Sequence, residues 1–179
     1  ARAGIRHWPR RASVSRARRI PSWCAVTHYK VGDVLWHGTA KAYGFATLSR
    51  PAWVSDSHVV ASNFARWRLD DDRGVSRVMR YVVARPFTLP TMSGRSNEAL
   101  GLWIQRVVDN RPPAGDEDDL YYEGYEEHEI DAMAAFVCRA GFHGWRITDN
   151  YGPGDDILLC KPDLLLRRAQ AGPHRRPRG

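Results

Sequence analysis

The chain has no run of about 18 apolar residues, so it offers no segment for a membrane-spanning helix. The residues before position 31 also lack the apolar stretch of a secretory leader. No Cys-x-x-Cys pair occurs. Cys24, Cys138 and Cys160 are odd in number and far apart, which argues against a disulfide framework or a structural zinc site. The expectation is therefore three free thiols in a reducing, cytoplasmic compartment, with Cys138 and Cys160 as packing residues. No internal repeat is visible.

Acidic residues are missing from both ends. Residues 1–20 hold seven arginines and no acid, and residues 164–179 hold five arginines and no acid. Between them stand fifteen basic and twenty acidic side chains, so the body carries about −5 although the whole chain carries +7. A body of that sign does not attract a polyanion globally, and any nucleic-acid contact rests on a local patch or on the ends.

What is present is enough for one domain. The 43% hydrophobic content and seven tryptophans exclude a chain disordered throughout. Residues 1–30 are expected as a basic, flexible segment, 31–163 as the domain, and 164–179 as a second basic, flexible tail. Along the domain, Val31 to Trp36 reads as a strand and Ala52 to Ser55 as another; Asp56 or Ser57 can cap a helix from His58 to Trp67. Val75 to Ala84 is β-rich. Residues 85–95, with two prolines and a glycine, read as loop, and Asn97 to Val108 as a helix. Arg111 to Glu129 reads as a long polar loop whose acidic cluster at 116–119 lacks calcium-hand spacing, so no metal is expected. A helix from Glu127 to Ala140 and strands at Gly144 to Thr148 and Asp156 to Cys160 complete an α+β pattern with a largely antiparallel sheet.

Chemistry is expected around Leu35-Trp36-His37-Gly38-Thr39. A histidine at a strand end, before a glycine that lets a flat ligand approach the backbone, suits ligand gripping, and Thr39 adds a hydroxyl. Taken alone, His37 is equally well read as a buried histidine satisfied by a neighbouring carbonyl. Asp149, at the end of a strand and the mouth of a Gly/Pro-rich turn, is the candidate carboxylate; Asp155 and Asp156 are its alternatives for acid–base work.

Placed together, His37-Gly38-Thr39, Pro51-Ala52-Trp53-Val54-Ser55-Asp56 with Ala61, Phe64 and Ala65, and a late carboxylate resemble the ADP-ribosyltransferase superfamily, His-Tyr-Glu branch, over roughly residues 31–163. The segment from Gly141-Phe142 through Asp149-Asn150-Tyr151-Gly152 to Leu159-Cys160-Lys161-Pro162 is similar to one in phage anti-CRISPR members, where an aspartate at the position of Asp149 is the catalytic acid. Two departures stand out: Trp53 replaces the usual tyrosine, and Asp149 the usual glutamate, which does not suit chain elongation. The resemblance implies a split, mostly antiparallel sheet with flanking helices. It also implies NAD as substrate, with His37 bonding a ribose hydroxyl and the Gly38 backbone holding the nicotinamide amide. Thr39 and Ser55 would add polar contacts, Trp53 would stack on nicotinamide, and Asp149 would stabilise positive charge on the ribose. The implied activity is mono-ADP-ribosyl transfer to a macromolecule, protein or nucleic acid. NAD hydrolysis, or a non-catalytic nucleic-acid-binding module using the Arg-rich ends, are the alternatives.

Overall fold

The computed structural model describes residues 17–39, 48, 51–67, 76–93, 97–112, 134–148 and 155–169. Its fold is α+β. Eight strands, β1 (Val26–Tyr29), β2 (Val34–Thr39), β3 (Ala52–Ser55), β4 (Arg77–Val83), β5 (Phe87–Ser93), β6 (Gly144–Thr148), β7 (Asp156–Leu159) and β8 (Leu166–Arg168), form one sheet in the order β1-β5-β6-β7-β3-β2-β4-β8. Among the described residues only β5 and β6 run parallel, and every other pairing is antiparallel. The helices are α1 (His58–Trp67), α2 (Asn97–Asp109), α3 (134–139) and the single turn α4 (Pro162–Leu165). None of the described helices is long and apolar enough to cross a membrane.

The sheet has to curl. β1 and β2 are five strand spacings apart, about 24 Å across a flat sheet, yet only residues 30–33 connect them, and that stretch reaches about 17 Å at most. Gly32 makes the turn, at φ +99, a backbone conformation that glycine adopts without steric cost. On the concave face, Tyr29 of β1 and Phe87 and Leu89 of β5 share one cluster with Leu35 of β2 and Met79 and Tyr81 of β4. On the convex face, Ile104 and Val107 of α2 and Val137 of α3 cover Trp145, Ile147 and Leu158. β7 is buried throughout because it serves both faces, Leu158 on one side and Ile157 and Leu159 on the other.

The described fold extends past the expected limits of 31 and 163. Residues 17–29 belong to it: Arg18 donates its N–H to the Gly141 carbonyl at 2.8 Å, bonds the Val108 carbonyl through its guanidinium and lies 5.5 Å from the Phe142 ring centre. β1 and β8 then extend the sheet at its two edges. β5 falls where a loop was expected. Pro90 is tolerated there because the Thr91 N–H points to Ala25 on the β1 side, so position 90 faces β6, where pairing starts only at Thr91.

One cysteine expectation is overturned. Cys138 and Cys160 form a disulfide, their Cα atoms 5.4 Å apart, and Cys24 is the free thiol. They are 22 residues apart in sequence, but α3 lies against the β6–β7 part of the convex face, and that packing brings them together. Both also pack in the convex core, as expected. With the bridge made, the three free thiols that argued for a reducing compartment are not there.

Candidate active site

β2 extends beyond its expected end at Trp36. It continues through His37, Gly38 and Thr39, opposite Met79, Val78 and Arg77 of β4, so the histidine lies within a ladder and not at a strand end. The other edge of β2 is different. Pairing with β3 is confined to Trp36 and Ser55. Extended, that register would set His37 opposite Val54 and Gly38 opposite Trp53; the strands instead part there, and the imidazole reaches across the opening.

His37 Nδ1 lies 2.8 Å from the Trp53 carbonyl oxygen. A carbonyl only accepts, so Nδ1 carries the proton, and a neutral ring keeps its acceptor lone pair on Nε2. The carbonyl-satisfied histidine weighed from sequence is thus observed, and the same bond fixes the orientation of the ring. By strand alternation His37 shares the concave side with Leu35 and Met79. The indole of Trp53 is on the convex side, half-buried, its centre 6.4 Å from that of Trp145. His37 therefore meets the backbone of Trp53 and not its ring.

Gly38 is accounted for by packing. A Cβ there would run into the Ala61 carbonyl oxygen and stand 3.0 Å from the Ala65 nitrogen, so α1 crosses directly over it. The face that sequence offered to a flat ligand is occupied by this helix. Thr39 is buried. Ser55, 1% exposed, accepts the Ser57 N–H at 3.1 Å, and the Ser57 hydroxyl accepts the Val60 N–H at 3.4 Å, so of the two expected caps, Asp56 and Ser57, it is Ser57 that starts α1.

Of the three candidate carboxylates, Asp149 lies outside the described residues. Asp155 is ion-paired with Arg146, whose guanidinium also bonds Asp56 at 3.2 Å and Thr27 Oγ1 at 3.3 Å. The Asp155 N–H donates to the second Asp56 oxygen at 3.2 Å. Asp156 is buried within the sheet, between Ser55 of β3 and Ile147 of β6. Sequence reasoning missed this Arg146 cluster. Its signal was an arginine between Trp145 and Ile147 in an otherwise apolar strand. Beside it, burial pushes the Tyr29 phenol well above its ordinary range, against the opposing pull of the Arg146 charge. Among the described residues no three His, Cys, Asp or Glu side chains are grouped to hold a metal.

Comparison with family models, with characterised proteins and with solved structures finds no match to this chain.

Proposed function

We propose that the protein is an NAD-dependent mono-ADP-ribosyltransferase. The observation that carries this is the contact of His37 with Trp53: two motif blocks 16 residues apart stand on neighbouring strands, joined where the pairing of β2 with β3 stops after Trp36 and Ser55.

The transferred bond is the one between nicotinamide and its ribose. As it breaks, its electron pair leaves with the nicotinamide nitrogen, which loses its positive charge, and C1′ passes through an oxocarbenium-like state that the acceptor nucleophile then captures. The acceptor's proton is released. Such a reaction requires positioning and a nearby negative charge more than covalent help. His37, oriented by the Trp53 carbonyl, hydrogen-bonds a ribose hydroxyl, and the Gly38 backbone serves the nicotinamide amide. Trp53 contributes its carbonyl as the orienting group. Asp149, the residue after the last of β6, supplies the negative charge, since Asp155 is committed to Arg146 and Asp156 is buried in the sheet. The acceptor is a macromolecule.

Incubation with NAD labelled in its adenylate half, in a cell lysate, tests the assignment. Label is expected on a macromolecule with one nicotinamide released per transfer. His37→Ala and Asp149→Ala should each lower nicotinamide release by at least about 100-fold while the thermal transition survives. Free ADP-ribose without a labelled acceptor would make water the acceptor. Full turnover by a folded Asp149→Ala variant, or none by the wild type, would remove the assignment.

A further inference from the structure

The outer edge of the sheet carries charge of one sign. From Ser76 to Pro86, and again from Leu166 to Ala169, every charged residue is an arginine: Arg77, Arg80, Arg85, Arg167 and Arg168. All five are exposed, and none takes part in an ion pair among the described residues. Among the described residues, the acids adjoining this edge are Asp33, whose carboxylate accepts the Lys30 N–H at 2.7 Å, and Asp163 on α4. Against a body of about −5, such a concentration of unpaired guanidinium groups is a local field of opposite sign. It is ready to accept phosphates.

Aromatic surface adjoins it. Trp36 stands directly across the ladder from Arg80 on the convex face, half-buried, with the exposed imidazole of His58 perpendicular to its ring, the two centres 4.8 Å apart. Arg167, paired with Val82, shares that face by alternation. Guanidinium groups beside stacking rings fit a strand whose bases are unpaired, because a duplex hides its base faces. We infer that the convex face from Trp36 and His58 across Arg80 to Arg167 binds single-stranded nucleic acid. Resting on the function proposed above, this makes a nucleic-acid strand the acceptor class.

The test uses the full chain, without NAD, and a fluorescein-labelled 15-nucleotide DNA strand read by anisotropy between about 50 and 300 mM salt. Each phosphate contact on a single strand contributes about 0.7 to the slope of log affinity against log salt, so Arg80→Gln/Arg167→Gln should lower it by about 1.4. Affinity at low salt should fall at least about tenfold. His58→Ala should weaken binding roughly fivefold and leave the slope unchanged. The arginines of residues 1–20 and 170–179 remain in every variant, so the difference isolates this face. An unchanged slope in the double variant would overturn the inference. So would equal affinity for the matching duplex, or for a polyglutamate of equal charge. Binding needs no NAD, so a strand that binds without being modified would count only against the transferase.

Discussion

β2 is held unequally by its two neighbours. Toward β4 six consecutive residues pair, from Val34 to Thr39; toward β3 a single residue, Trp36, does. The well-paired edge stabilises, while at the poorly paired one the strands part and the His37 imidazole bonds the Trp53 carbonyl across the gap in the ladder. A binding site built this way relies on one edge of a strand for rigidity and on the other for access. The glycine in the middle serves the rigid side: Gly38 lets α1 lie on β2 and brace it where β3 gives no support.

The largest expected effect comes from removing that brace. Gly38→Ala puts a methyl group against helix backbone that has no rotamer to change, and should cost about 3 kcal/mol or more, a fall in Tm on the order of 10 °C. A variant that melted like wild type would mean that α1 is not anchored over β2. Next in size, reducing the Cys138–Cys160 bridge, or replacing both cysteines by serine, should lower stability by about 2–4 kcal/mol in denaturant titration, because the closed loop spans 22 residues. Buried Cys24, its thiol pushed up to about 11 by burial, should stay unlabelled by thiol reagents at pH 8 while the fold is intact. His37→Ala removes one bond across the opening and should cost about 1 kcal/mol. Its sharper signature is hydrogen exchange, faster in β3 and unchanged in β4; equal acceleration in both would erase the contrast between the two edges.

The smallest effect is electrostatic. Burial holds the His143 imidazole below its ordinary 6.5, so the unfolded chain takes up a proton on acidification before the folded one does. Stability from this group is complete above pH 6.5 and declines as pH falls from there toward the folded-state value. Wild type should therefore lose Tm more steeply than His143→Gln between pH 7.5 and 5.5, and parallel curves would show that His143 does not contribute.

Local order was legible where one short stretch decides it. α1 begins and ends at the expected residues because Ser57 caps it and its apolar spacing is helical, and β3 and β6 fall where alternation and turn residues set them. Illegible features depend on partners remote in sequence. Pro86 and Pro90 argued for a loop at β5, and only the sheet's staggered pairing reveals why a proline fits. Val26–Tyr29 and Leu166–Arg168 are strands because β5 and β4 offer them edges. The Cys138–Cys160 bridge needed the position of α3. At the candidate site, His37 and Trp53 were legible as residue types, whereas their meeting through a carbonyl was not.

The pairing of β3 with β7 joins Ala52 to Leu159, more than a hundred residues later in the chain. A ribosome making roughly 5–20 residues per second needs on the order of 5–20 s to supply that partner. Until β7 emerges, the Trp53 strand has an open edge on the side away from β2, and on the side toward β2 it is held by one pair. Such an edge is a template for pairing with other chains. The slow, error-prone stage of folding should therefore fall on the strand that carries half of the candidate site, and early aggregation should respond more to changes at residues 52–55 than to equally buried changes in β4.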